Sequence, residues 1–191
     1  MKRVFALMLG LTAAACSAPP PPPAPPPPPP STAIVESLKF QYEGVKMFLT
    51  KAADMIPEAK YSYQPTKEVR TIAQLIGHVA NANFMFCGYS SGQTGTTVDR
   101  EKLMKKAELQ KELADSFAFC DRALAALTND VVGAQSVELA IINNQKSTRA
   151  GAFAFNTGHD EEHYGNLVTY MRMNKMVPPS TTPPAPAPPK K

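Results

Sequence analysis

Four stretches of the chain space their apolar side chains three and four residues apart, the pattern that lines one face of an α-helix. In the first, Ile34, Leu38, Tyr42, Val45, Leu49, Ala52 and Ile56 form one stripe, which predicts a helix over 33–56 stopped by Pro57. A loop over 61–66 follows, because Pro65 disfavours helix at Gln64. The second helix opens at Thr71, where Thr71 and Gln74 have capping-box spacing, and carries Leu75, Val79, Ala82 and Phe86 on its apolar face. Cys87-Gly88 marks its end, and the polar, glycine-containing segment 90–97 reads as loop. A third helix spans 99–127 with a break near Lys106, and Leu109, Leu113, Phe117, Cys120, Leu124 and Leu127 form its stripe. Within 128–146, the run Val137-Glu138-Leu139-Ala140-Ile141-Ile142 is either a short strand or an apolar flap. The fourth helix starts at Ser147 or Thr148 and ends around 174–175, with Ala152, Phe155, His159, His163, Val168 and Tyr170 or Met171 facing inward. Four helices of this length with almost no strand signal predict an all-α four-helix bundle joined by long loops.

Proline marks where the bundle stops. Eighteen of the twenty prolines lie in two tails, one over 19–30 and one over 178–189. The foldable part is therefore 31–177, enough for one domain with a real core. The tails are expected to be disordered. Twelve residues of polyproline II reach about 37 Å, so 19–30 would act as a stiff spacer.

Ahead of that spacer the chain reads as an export signal over 1–15. Lys2 and Arg3 form the charged region, and 4–11 an apolar run too short to span a bilayer. Ala13-Ala14-Ala15-Cys16 resembles the lipobox of bacterial lipoproteins, with Ala13 where leucine is usual. The resemblance implies cleavage before Cys16, lipid on its sulfur, and a membrane-anchored protein of the bacterial cell envelope facing the periplasm. Ordinary cleavage after Ala15 would release a soluble periplasmic protein instead. Losing Lys2 and Arg3 lowers the net charge from +4 to +2. No basic run interleaves with aromatics, so nucleic acid is not an expected partner. Export would place Cys87 and Cys120 where a disulfide between neighbouring helices is stable; the other reading is two small buried apolar side chains.

The chemistry concentrates in three histidines, the whole supply of the chain. His159 and His163 are four residues apart, so both imidazoles project from one helix face. His78 shares a face with Leu75 and Ala82 on the second helix. If the two helices are neighbours, three nitrogens meet near the core, with a fourth position open to water or substrate. A bound ion would bring the pKa of that water towards neutrality. The competing readings are a hydrogen-bonded core histidine at 78 and a polar acidic patch at 159–163. His159-Asp160-Glu161-Glu162-His163 also fits the inverted zincin pattern, but no acidic residue follows Glu162 to supply the further ligand that fold needs.

Leu75-Ile76-Gly77-His78-Val79-Ala80-Asn81-Ala82-Asn83 and His159-Asp160-Glu161-Glu162-His163-Tyr164-Gly165-Asn166-Leu167 resemble the second- and fourth-helix signatures of the DinB-like (YfiT-like) superfamily. The loop Met55-Ile56-Pro57-Glu58-Ala59-Lys60-Tyr61-Ser62-Tyr63-Gln64-Pro65-Thr66 is similar to the family's loop after its first helix. The resemblance implies a bundle holding one divalent ion, zinc or nickel, on His78, His159 and His163. It also implies a metal-dependent hydrolase or thiol transferase acting on a small molecule, and allows a homodimer. The alternative function is a non-catalytic metal-binding or envelope interaction module. Asn166 stands where many relatives carry glutamine. Asn81 and Asn83 are candidates to orient a ligand imidazole, Glu162 to act as a base or to remain a surface charge, and Tyr42, Glu43 and Lys46 to line the pocket.

Overall fold

The protein is described by a computed structural model that covers residues 26–93 and 98–181. The export signal, Cys16 and residues 182–191 lie outside the described residues. Four long helices form the body: α1 (Ala33–Met55), α2 (Ile72–Ser91), α3 (Lys106–Ala125) and α5 (Arg149–Met173). Between α3 and α5 come a single-turn helix, α4 (Asp130–Gly133), and an antiparallel hairpin of β1 (Ser136–Leu139) and β2 (Gln145–Thr148). Among the described residues no helix is long and apolar enough to cross a membrane.

Side-chain pairs fix the helix directions. Tyr42 meets Phe153 and Phe48 stacks on Tyr164, so α1 and α5 run parallel. Asn83 meets Ser116 and Cys87 meets Cys120, so α2 and α3 are parallel too. Asn83 bonds Asn156 while Phe86 packs on Phe155, which makes α2 antiparallel to α5. The bundle is thus up-down-down-up rather than a simple meander, and the 92–105 connection must cross the length of the bundle to start α3 beside the start of α2.

Local chemistry sets the helix ends. Thr71 Oγ1 accepts from Gln74 N–H and Gln74 Oε1 accepts from Thr71 N–H, a complete capping box. Thr148 Oγ1 caps α5 by accepting from Gly151 N–H at 3.0 Å. Helix α2 continues past the expected stop at Gly88 and ends at Gly92, whose φ of 74° supplies the left-handed cap. Gly88 is buried inside the helix. The third helix is divided where a break was expected, near Lys106. Residues Arg100–Lys102 form a separate 3-10 turn, and α3 begins only at Lys106. Residues Val137 to Leu139 are strand, followed by a 3-10 turn over Ala140–Ile142. The tail after 177 is not wholly unstructured: Pro179–Thr181 make a 3-10 turn in which Ser180 N–H donates to Tyr164 Oη at 2.9 Å.

The core follows the predicted stripes with small shifts in two places, by one residue on α1 and by two on α5. On α1 Val35, not Ile34, is buried; on α5 Phe153 is buried while Phe155 is 46% exposed. Tyr42 is core, donating from its hydroxyl to Phe117 O and Asp121 Oδ1 at 3.0 and 2.8 Å. Its hydroxyl is held far above the ordinary tyrosine range, first by burial and then by Asp121. Cys87 and Cys120, both fully buried, are joined in a disulfide that ties α2 to α3. Beside it runs a polar seam: Asn83 Nδ2 donates to Ser116 Oγ at 3.0 Å, and Asn156 Nδ2 donates to Asn83 Oδ1 at 2.7 Å.

Candidate metal centre

Helices α2 and α5 bring His78, His159 and His163 to one point. The Nε2 atoms of His78 and His163 lie 3.2 and 3.1 Å from Nε2 of His159. Among the described residues the cluster is three imidazoles with no carboxylate in it. Two Zn–N bonds of about 2.0–2.1 Å at a tetrahedral angle set their nitrogens about 3.3 Å apart; the two pairs that involve His159 have that spacing, and all three ligand atoms lie within 4.8 Å of one another.

The proton count points the same way. A carboxylate only accepts hydrogen bonds, so Glu101 Oε1, 2.7 Å from His78 Nδ1, fixes the proton on Nδ1 and leaves the Nε2 lone pair facing the centre. If His159 carries its proton on Nε2, one N–H cannot point at two nitrogens. If it carries the proton on Nδ1, two lone pairs face each other, and that Nδ1 is already buried without a hydrogen-bond partner. A cation at the centre would take the facing Nε2 lone pairs, while His159 Nδ1 has no partner in either case. Burial first, then the neighbouring histidines, push His159 down to about 3 and His163 down to about 4.

Glu101 escapes a reading of the sequence, because the turn that carries it is folded into the predicted third helix. That turn lies against α2 only because residue 77 is glycine: a Cβ there would stand 2.3 Å from the Arg100 carbonyl oxygen. The turn is pinned from several sides. Arg100 N–H donates to Asn81 Oδ1 at 3.2 Å, and its guanidinium bonds Glu112 and lies over the Phe84 ring. Glu101 in turn accepts from Arg70 Nε at 3.0 Å, while Tyr170 Oη donates to the Arg70 carbonyl. Burial raises Glu101, but Arg70 and His78 outweigh it and hold the carboxyl below its ordinary value.

The other candidates are placed as follows. Asn81 does not orient a histidine; it holds the Arg100 turn, and so acts on His78 only through Glu101. Asn83 faces Ser116 and Asn156. Asn166 does reach the centre, its amide nitrogen lying 3.3 Å from His163 Nδ1 and 3.2 Å from the Glu162 carbonyl. The Glu162 side chain is exposed and lines the mouth of the adjoining pocket. Asp160 is not part of an exposed acidic patch. It is fully buried one residue from His159, accepts from Asn156 Nδ2 at 3.4 Å, and burial raises its carboxyl well above the ordinary range. Tyr42, Glu43 and Lys46 lie away from the centre; Lys46 pairs with Asp121 on α3. A pocket of about 730 Å³ opens beside His163, walled by Gln64, Arg70, Gln74, Asn166 and Tyr170.

The family model of the DinB superfamily matches residues 41–167. The chain belongs to the DinB superfamily. No curated protein matches it. Solved DinB-type structures share its fold at low identity. A DinB-like protein from Bacillus cereus ATCC 10987 superposes with a TM-score of 0.65 at 11% identity, over 77% of this chain and 97% of its own. YfiT from Bacillus subtilis, described as a probable metal-dependent hydrolase with an unusual four-helix bundle topology, gives 0.60 at 14% identity over 81% and 95%. The mycothiol-dependent maleylpyruvate isomerase gives 0.56 at 16% identity, over 70% of this chain and 60% of its own. At these identities the likeness concerns the DinB fold, and the three-histidine cluster is this chain's own evidence for a metal-binding site.

Proposed function

We propose that this DinB protein is a metal-dependent enzyme, a hydrolase or transferase acting on a small molecule, with zinc or nickel held by His78, His159 and His163. The observation that carries the reading is the convergence of three imidazoles, without a carboxylate, at the edge of a polar pocket. A closed carboxylate ligand would favour a storage or structural role; Glu101 instead bonds the outer nitrogen of His78. When bound, a divalent ion supplies Lewis acidity at that point. Glu101 orients His78 and raises its basicity as a ligand. Arg70 and Gln74 offer donors to polar groups of a substrate in the pocket. Tyr170 and Leu75 restrict water on two sides.

We further infer that the chain works in the cell envelope, exported by 1–15 and anchored through Cys16. The buried disulfide supports an oxidising compartment. Cys16→Ser should release the protein from membranes; unchanged membrane partition removes the anchor.

The test of the centre is elemental analysis of protein purified without a histidine tag, together with turnover of a panel of chromogenic esters and amides. About one equivalent of zinc or nickel is expected, with metal and turnover both lost in His159→Ala. A metal-free wild type of full stability would leave only a packing role for the histidines. Metal bound without turnover of any substrate would favour the non-catalytic module.

A further inference from the structure

On the face of the bundle away from the Arg100 turn, α1 and α5 leave an open groove of about 660 Å³. Its walls are aromatic: Phe40, 81% exposed, and Phe48 stacked on Tyr164 at 5.2 Å. Met47 adds a half-exposed apolar edge, and Gly44 leaves the floor bare, since a Cβ there would meet nothing within 4 Å. Glu43 and Glu161 also line the groove, and neither has an ion-pair partner among the described residues. Phe40, Gly44 and Met47 repeat at helical spacing beside the core stripe of α1, and Phe48, packed against the core, closes one wall. A solvated helix face ordinarily carries charged side chains there, so this stripe calls for an occupant.

We propose that the groove is the docking site of the chain's own proline tail, residues 182–191. The chain delivers the tail to it. After Met173, Lys175 takes a left-handed φ of 60° and reverses the path, and Pro178 and Pro179 are buried. By Ser180 the backbone is bonded to Tyr164 Oη, at the end of the groove. Thr181, the last described residue, accepts from Arg172 Nη2 at 3.0 Å, so residue 182 leaves from beside the Tyr164 end of the groove. From Phe48 to Phe40 is eight residues of helix, about 12 Å. The ten residues Thr182 to Lys191 reach about 31 Å as polyproline II, more than enough to cover it.

The chemistry matches as well. Five of those ten residues are proline, and proline rings with preset φ pack into aromatic-lined grooves at little entropic cost. The segment's only charged side chains are Lys190 and Lys191, opposite in sign to Glu43 and Glu161. Tethering at Ser180 makes the association intramolecular, so even a weak contact is populated through its high effective concentration.

The test compares amide NMR spectra of the full chain with a variant ending at Thr181. Docking predicts that truncation moves the resonances of Gly44, Met47 and Phe48 and leaves those around His78 in place. A peptide of residues 182–191 added to the truncated protein should shift the same resonances back. Lys190→Glu with Lys191→Glu should weaken that peptide about two- to tenfold at low salt. Gly44→Gln, which the open floor accommodates, should abolish the response at Tyr164. Superimposable spectra with and without the tail overturn the proposal. So does a groove that responds instead to deletion of 19–30, or shifts that grow with protein concentration as a dimer forms, which would assign the face to a second copy.

Discussion

Gly77→Ala isolates the part of the metal centre that the histidines do not themselves supply. The new Cβ would stand 2.3 Å from the Arg100 carbonyl oxygen, and real contacts essentially never fall below 3.0 Å. The obstacle is backbone, so the Arg100–Lys102 turn must retreat. A rigid retreat of about 0.7 Å carried to the Glu101 carboxylate stretches its 2.7 Å contact with His78 to about 3.4 Å, the outer limit of a hydrogen bond. Loss of such an outer partner lowers metal affinity about 10- to 100-fold, or about 1.4–2.8 kcal/mol. Fold stability should suffer less. Overpacking costs about 1–3 kcal/mol, whereas alanine for glycine inside a helix returns up to about 1 kcal/mol. The assay is competition for zinc against a chelating dye, with urea unfolding of the metal-free protein alongside, and with Glu101→Gln as the reference. Unchanged zinc affinity in Gly77→Ala, with Glu101→Gln impaired, would refute the claim that this glycine sets the carboxylate in place.

Two further outcomes follow from the same structure. His159 and His163 sit near 3 and 4 in the folded, metal-free protein, below the unfolded value of about 6.5. The unfolded chain therefore binds more protons below about pH 6.5, and stability falls as pH drops through that value towards 4. Urea midpoints of chelator-treated protein at several pH values should show the slope, and His159→Ala with His163→Ala should flatten it; an equal slope in both proteins sinks the assignment. The Cys87–Cys120 link spans a sequence separation of 33, so the chain-entropy relation gives about 3.7 kcal/mol for closing that loop. Replacing both cysteines by alanine should lower the unfolding free energy by about 3–4 kcal/mol, and a loss under about 1 kcal/mol would show that the cross-link does not restrain the unfolded chain.

The apolar periodicity was legible wherever a stripe was continuous, which is why the long helices and the inward aim of three histidines could be read from spacing alone. It failed at glycines. Gly88 reads as a helix stop, yet what ends α2 is the left-handed Gly92 four residues on. Gly77 sits unremarked in mid-helix although a glycine there commonly marks a close approach of other backbone. That glycine is also the one signal that pointed to Glu101, which lies 23 residues after His78 in a short turn ahead of α3. Asp160 misled for another reason. Flanked by Glu161 and Glu162 it has the look of a wet acidic face, but the helix turns by about 100° per residue and swings it inward while its neighbours stay outside. The shifts to Val35 and Phe153 have the same origin: a stripe three or four residues wide does not say which of two neighbouring apolar positions lies at its centre.

The hydrogen bond between Asn156 and Asn83 has a mechanical consequence. Two wholly greasy helix surfaces can slide past one another by a turn, about 5.4 Å, and exchange one set of ridges for the next. Here such a slip would strand both amides in a dry interior at a cost of about 1–3 kcal/mol for each unmet group. The asparagine pair works as a detent, one turn of α5 away from the ion ligands, and it indexes two helices that share no covalent link. The alignment of His78 with His159 and His163 is thus set by a neutral contact that never touches the ion.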